Sequence, residues 1–549
     1  MIQSYKQKIN LEEKYDAIII GSGIGSLCTA ALLSKEGKKV LVLERHYTAG
    51  GFTHVFKRKG YEWDVGIHYI GEVQNPNAPI RKMFDYISND KLKWADMGEV
   101  YDKIIIGNKT YDFVKGVKNF KAKMYEYFPN DIDAIDKYVQ LIFDCNKTMK
   151  KFYLEKALPT YVSKLVGFFF RKNYLKYSSK TTYEVISSLT DNEDLIKVLT
   201  GQYGDYGLPP KQSSFAMHAS VVKHYFNGGS FPIGGSSQIA NTIDNVIESS
   251  KGTILVSAEV KKILINNNKA SGVEMSDGKK FYSDLIVSGT GVFQTYNHLI
   301  PNDISVKYGF VNNLKKVTPS VAHGCLYLGL NGTSEELGLP KNNLWIYPKD
   351  VDHDTAVSNY LNDTDSDFPL VYISFASSKD PSWQSRYPNK STIDIITLLP
   401  YEAFDKWSKT HWKKRGENYE AKKESLAKLK AFMLDYTADI KCFQEFYSHT
   451  DRKPYRSISM MTEQYPNYAF IPLKEDLFDK NEKMGLAIFT KYPIIHKEGK
   501  QFANSANGYL MVDLVIKEDT VRVINLQLWS MGIRVGKVTG KIRDQDYED

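Results

Sequence analysis

Residues 15–20, YDAIII, form a short β-branched run that ends directly on Gly21-Ser22-Gly23-Ile24-Gly25-Ser26. An apolar run without polar alternation suits a strand buried on both faces, as in a parallel sheet. Leu27 to Lys35 reads as a helix, and a second apolar run, Lys39 to Leu43, ends at Glu44, 23 residues after Gly21. A βαβ unit is thereby completed within the ~30 residues it needs. Gly21 permits the tight turn, Gly23 lets the backbone approach a pyrophosphate, and Ser22 and Gly25 complete the loop. The helix N-terminus offers unpaired N–H groups and the positive end of its dipole to that charge. Glu44 is placed to accept hydrogen bonds from ribose hydroxyls. Ser26 holds the third fingerprint position, usually glycine, and is small enough for close helix–strand packing.

Arg45 follows the acid, and Gly50-Gly51 add a second glycine pair. A nicotinamide dinucleotide has no general need for such a pair here, whereas FAD carries a ribityl chain and ring along further backbone. The pair favours FAD; its other reading is a surface turn. At 549 residues the chain predicts two to four domains. With 42% hydrophobic and 25% charged residues and no run of 18 apolar residues, it reads as neither disordered nor membrane-spanning. Cys28, Cys145, Cys325 and Cys442 lack the paired short spacings of a metal knuckle or disulfide framework. With no secretory signal in MIQSYKQKINLEEKYD, a cytoplasmic location is expected.

Further blocks carry a resemblance. Gly50-Gly51-Phe52-Thr53-His54, the stretch Tyr61 to Gly71 (YEWDVGIHYIG), Gly204 to Pro210 (GDYGLPP), Ser214 to Ala219 (SFAMHA), His224-Tyr225-Phe226 and Phe231 to Ser237 (FPIGGSS) stand in succession. Ser378-Lys379-Asp380-Pro381 and Pro400-Tyr401-Glu402 follow. From about residue 14 to 430 the chain resembles the retinol saturase branch of the phytoene desaturase and carotenoid isomerase flavoproteins.

The resemblance implies an α/β fold: a Rossmann-like FAD-binding domain with an inserted α+β substrate domain. Segments 14–110 and 236–300 would belong to the first, 111–235 and 301–430 to the second. It implies FAD, NAD(P) as an electron partner, and a lipophilic polyene whose double bond is saturated, desaturated or isomerised. By analogy Val260, in the strand-like Thr253 to Ile265 segment, would touch the adenine side through its backbone, and Gly289 would sit beside the diphosphate. His68 reads as a proton donor or as a structural histidine near the cofactor, and Asp205 and Tyr206 stand beside it as candidates.

The net charge of +8 is uneven. Lys147 to Ser178 holds eight Lys/Arg against one acid, and Lys406 to Lys430 nine against three, so the remainder is acidic. Val162, Leu165, Val166 and Phe169 fall at helical spacing among Lys164, Arg171 and Lys172. That pattern suits a helix lying on an anionic membrane surface, and equally a helix covering a core. No nucleic-acid partner is expected, since no groove-reading or base-stacking module stands beside the charge.

After a charged helical stretch to Lys430 the resemblance stops, short of the family's Gly-Asp motif for the ribityl chain. Leu434 to Phe446, Gly485 to Ile494 and Val521 to Asn525 resemble instead the endonuclease/exonuclease/phosphatase superfamily, over 434–538 of a segment 434–549. Glu445 matches its metal-binding glutamate, but Gln527 replaces its histidine. One carboxylate does not make the metal site of a Mg²⁺ phosphodiesterase. This end reads as a non-catalytic partial α/β sandwich, a gene-fusion fragment with no metal and Glu445 only as a vestigial Mg²⁺ ligand. Tyr509 to Leu528 predicts a hairpin that would expose apolar faces without partner strands. An inactive remnant with an open flavin site is the alternative to an oxidoreductase.

Overall fold

The computed structural model describes residues 2–6, 11–317, 321–364, 366–408, 410, 415–416, 418–419, 440–449, 457–462, 465–475, 482–502, 508–516 and 519–527. Two compact units divide the chain, Met1–Phe404 and Asp405–Asp549.

The first unit is built on a five-stranded sheet in the order Gln3–Ser4, Thr253–Val256, Val40–Leu43, Ala17–Ile20 and Ile286–Ser288, with every pairing parallel. The runs AIII and VLVL are buried along their whole length, which is why they lack polar alternation. Alternate residues divide between two faces. Ala17 and Ile19 pack with Leu27, Ala30 and Ala31 of the helix Ile24–Lys35 and with Ile243 and Ile247 of the helix Gln238–Ser249. Ile18 and Ile20 pack with Val260, Ile263, Val273 and Phe281 on the opposite side. Those last residues come from a three-stranded antiparallel sheet, Val260–Asn266, Lys269–Met275 and Lys280–Tyr282.

A second large sheet has six strands in the order His323–Asn331, Lys390–Leu398, Val371–Ser374, Asn343–Tyr347, Val100–Ile106 and Lys109–Val114. It is mixed: Asn343–Tyr347 pairs parallel to Val100–Ile106, and the other neighbours are antiparallel. The helices Ile132–Ala157 and Phe215–Tyr225 close a core with it around Tyr138, Ile142, Phe215, Trp345 and Tyr372. The chain enters this sheet before residue 110, because Val100–Ile106 and Lys109–Val114 are one hairpin.

The single strand expected over Thr253 to Ile265 is two strands in two sheets. Ser257, at φ +53°, breaks the run. Its N–H donates to His46 O at 2.7 Å, and Ala258 N–H donates to Glu44 O at 2.7 Å, so the break fastens this segment to the end of the second parallel strand.

In the second unit two three-stranded antiparallel sheets are described: Ile440–His449, Glu482–Thr490 and Asn467–Glu475, then Ile494–Gln501, Gly508–Ile516 and Asp519–Gln527. Leu486 and Ile488 of one pack with Leu510, Val512 and Leu514 of the other. The expected hairpin is Gly508–Ile516 with Asp519–Gln527, and its inner apolar face is covered rather than exposed. Most of the charged stretch before Lys430 lies outside the described residues.

Candidate functional site

The helix Ile24–Lys35 begins at Gly23 with no side-chain cap and no acid in its first turn. Its first N–H groups are therefore free for an anion. A Cβ placed on Gly23 or Gly25 would meet no atom within 4 Å, so packing does not require glycine at either. Gly21 has φ +91°, and Gly51, at φ +56°, would put a Cβ 2.8 Å from Gly23 Cα. Gly51 is thus glycine because it lies under the fingerprint loop, a packing role the sequence does not announce. Gly289 is glycine for a similar reason: a Cβ there would fall 1.8 Å from Ser26 Oγ. The room usually given by glycine at the third fingerprint position is supplied here by Gly289 on the facing loop.

Glu44 is held at the end of Val40–Leu43. Its Oε2 accepts from Ser22 N at 2.8 Å and Ser22 Oγ at 2.7 Å, and its Oε1 from His46 N at 2.7 Å. A carboxylate offers about four acceptor positions, which leaves about one for a further donor. Ser22 Oγ in turn accepts from Gly50 N at 3.0 Å, tying the glycine pair to the acid. Arg45 is exposed, 4.0 Å from Glu259, and Val260 begins the strand that follows the Ser257 break. These residues gather around one groove whose bare helix end, open glycine backbone and oriented carboxylate fit the adenosine diphosphate end of a dinucleotide.

A cavity of about 540 Å³ lies in the same unit, with Ile67, Tyr69, Ile80, Asn146, Asp205 and Tyr225 on its wall. That is within the range of small-molecule sites, roughly 300–1,000 Å³. Gly66 borders it, and a Cβ there would sit 3.0 Å from Phe52 Cβ, so this edge rests on the loop of the glycine pair. Lys223 pairs with Glu72 at 2.8 Å on the wall.

Behind the cavity lies a group of buried ionisable side chains. Tyr69 Oη is 2.9 Å from Asp102 Oδ2 and 3.3 Å from Asp205 Oδ2. Asp102 also accepts from Gln202 Nε2 at 2.8 Å and Asn343 Nδ2 at 2.9 Å. Lys379, 1% exposed, donates to Asn343 Oδ1, to Ser374 Oγ at 2.6 Å and to the His68 carbonyl at 3.0 Å. Burial pulls the Lys379 ammonium down to about 7 against the opposing influence of Asp102, Asp394 and Asp64. Burial, then repulsion from Asp394, pushes Asp64 up to about 7. For Asp205, burial and then Asp102 push upward to about 8, opposed by the Tyr69 hydroxyl. Asp205 is nonetheless the exposed member of this group and lines the cavity.

The three candidate side chains separate. Asp205 lines the cavity. Tyr206 turns to His218 Nδ1 at 3.0 Å, while Tyr138 meets His218 Nε2 at 2.8 Å; burial holds that imidazole neutral, down to about 3. His68 Nδ1 stands 3.4 Å from Asp394 Oδ2, and among the described residues neither ring nitrogen nor either Asp394 carboxylate oxygen has a hydrogen-bond partner. No motif in the sequence gives a role to Tyr69, Asp102, Lys379 or Asp394. A lone acid in an apolar strand was the available signal, in VYDKIII for Asp102 and STIDIITL for Asp394.

The helix Thr160–Ser178 carries the apolar stripe, and the stripe is split. Val162 and Val166 are half-buried, whereas Leu165 is 77% and Phe169 73% exposed, with Phe168 and Tyr161 also exposed. The side chains of Glu445 and Gln527 lie outside the described residues.

Residues 19–87 match the family of NAD(P)-binding Rossmann-like domains. The chain is 36% identical over 428 residues to all-trans-retinol 13,14-reductase of Danio rerio, covering 75% of this chain and 70% of that protein. It is 24% identical over 436 residues to prolycopene isomerase 1 of an Oncidium hybrid cultivar, covering 76% and 69%. Among solved structures, a Pyrococcus furiosus protein aligns with a TM-score of 0.50 at 17% identity, over 76% of this chain and 84% of that one, a likeness of fold.

Proposed function

The chain belongs to the all-trans-retinol 13,14-reductase family, and from that premise we propose an FAD-dependent oxidoreductase that acts on a carbon–carbon double bond of a lipophilic polyene. The observation that carries the reading is the uncapped helix end over Gly23 and Gly25, facing a fixed Glu44 and continuing through Phe52 to a cavity. The bound cofactor supplies hydride chemistry that no side chain can. The loop 21–26 would hold its diphosphate, Glu44 its ribose, and the segment following Ser257, with Val260, its adenine side. The cavity walls orient the polyene and exclude water. The names of the reductase relatives support reduction as the direction, with NAD(P)H as the proposed electron source.

A contact with the surface of a membrane, on its cytoplasmic side, belongs to the same proposal. The helix Ile132–Ala157 lines the cavity with Asn146 and, two turns on, exposes Tyr153 and Leu154; the helix Thr160–Ser178 adds Leu165, Phe168 and Phe169. Lysines flank this tip, and Glu155, the one acid of the basic segment, clasps Ser163 across the turn. Exposed aromatics among lysines suit an anionic interface, the phase that dissolves a polyene. No helix among the described residues is long and apolar enough to cross a membrane. Residues 434–538 are read as an endonuclease/exonuclease/phosphatase-like fragment without hydrolytic activity; the two packed sheets described in the second unit suit the sandwich part of that reading.

Anaerobic mixing of the flavin-loaded, reduced protein with all-trans-retinol tests the oxidoreductase. The expected result is reoxidised flavin and a polyene absorbance shifted to shorter wavelength, one double bond fewer. Bound flavin with unchanged retinol overturns it. Protein that takes up no FAD returns the remnant reading.

A further inference from the structure

Asp205 is the exposed carboxyl of this ionisable group, and with Tyr69 it both lines the cavity and belongs to the hydrogen-bonded chain behind it. Gln202 and Asn343 donate to Asp102 and favour its charged form, and Tyr69 Oη lies nearer to Asp102 than to Asp205, so the single Tyr69 hydroxyl proton goes to Asp102. With Tyr69 donating to Asp102 at 2.9 Å, its oxygen lone pairs face Asp205 at 3.3 Å. That contact is a hydrogen bond only in one of two ways. Either Tyr69 abandons Asp102, leaving a buried acceptor short of a donor, or Asp205 carries the proton and donates it to Tyr69.

The other candidates are placed differently. Tyr206 is committed to His218 within the core. His68 faces Asp394, and neither of them lines the cavity. His224 lines it but spends Nε2 accepting from Gly71 N at 2.8 Å, and burial holds it neutral, down to about 4. Lys223, the cation on the wall, is paired with Glu72.

We propose that Asp205 is the proton donor of the polyene reduction, with Tyr69 and Asp102 as the positioning residues that turn its proton toward the cavity. The inference rests on the oxidoreductase reading. Reduction of one C=C bond takes two electrons and two hydrogens. The reduced cofactor, when bound, would supply the hydride for one carbon, and a reduced nicotinamide would restore it; the π pair of the double bond moves to the neighbouring carbon and forms a C–H bond there as the Asp205 O–H bond breaks. The carboxylate left behind is reprotonated from water after product leaves. An apolar ligand strengthens the arrangement, because displacing water from the cavity wall removes the solvation that favours the carboxylate. The charged and titratable groups around Asp205 are Asp102, Tyr69, Tyr225, Tyr347, Tyr372 and Tyr206, and the Lys223–Glu72 pair and His224 line the same cavity.

Infrared difference spectra of the full chain at pH 7 provide a readout independent of turnover. Wild type minus Asp205→Asn should show the C=O stretch of a protonated carboxyl, and Tyr69→Phe, which keeps Asp205, should shift that band. Addition of all-trans-retinol to wild type should strengthen it. Asp205→Asn should bind retinol within about threefold of wild type yet reduce it about 10²-fold or more slowly. An absent carboxyl band in wild type, even with retinol, or an Asp205→Asn protein that reduces retinol at the wild-type rate, overturns the proposal. Retinol failing to bind wild type overturns the substrate reading, while the ligand-free infrared band still decides Asp205.

Discussion

The nucleotide groove and the polar group behind the cavity are built on opposite plans. In the groove, function rests on what is missing: side chains at Gly23 and Gly25 and a cap at the helix end. Its acid is satisfied by donors from Ser22 and His46. Behind the cavity, function rests on side chains held where water would normally solvate them, with the His68 ring and the Asp394 carboxylate lacking hydrogen-bond partners among the described residues. The first site tolerates no added atoms, and the second tolerates no lost partners.

Substitutions in the two regions should therefore fail differently. Gly51→Val drives a Cβ into backbone at a left-handed φ and should leave the first unit unfolded. At Gly23 a Cβ meets no atom within 4 Å, so the melting temperature of Gly23→Val should stay close to wild type while FAD affinity falls about 100-fold or more. A parallel loss of stability in both would break the distinction.

Removing a partner behind the cavity comes next. Asp102→Ala strips the common acceptor of Tyr69, Gln202 and Asn343 and a neighbour of Lys379, and should destabilise by about 3–5 kcal/mol in denaturant titrations. FAD affinity in the protein that remains folded should be unchanged.

A pH series sharpens the same contrast. Asp64 keeps its proton to about 7 when folded and loses it near 4 when unfolded. Between those values the folded state binds more protons, so its stability falls as pH rises. Asp64→Asn lacks that fall. Its advantage over wild type should grow from pH 4 to 7 and then level off, at no more than about 4 kcal/mol. Thermal melts across that range check it, and a constant difference would show that Asp64 titrates normally.

The smallest effect on stability belongs to the exposed helical tip. Leu165→Ser with Phe169→Ser should change unfolding free energy by no more than about 0.5 kcal/mol for each substitution. The same change should abolish flotation with anionic vesicles, and undiminished flotation would place the membrane contact elsewhere.

The two regions also differed in legibility. The groove lies mostly in one stretch of thirty-odd residues, and the physics of each position is local: a turn, a helix end, an acid after a strand. Even there Gly51 and Gly289 hid their packing roles, because the atoms they avoid belong to Gly23 and Ser26. The cavity group joins residues far apart, Asp102 with Asn343 across 241 positions and Lys379 with His68 across 311. No periodicity brings such residues together; only the six-stranded sheet does. Asp205 was named from its block alone, and its distinction from Tyr206 came from which way each side chain turns.

The most direct test of the account is FAD bound to the purified full chain, measured by absorbance and by titration of added FAD. About one FAD per chain is expected, lost in Gly23→Val and kept in Asp102→Ala. A folded, colourless protein that takes up no added FAD would contradict it.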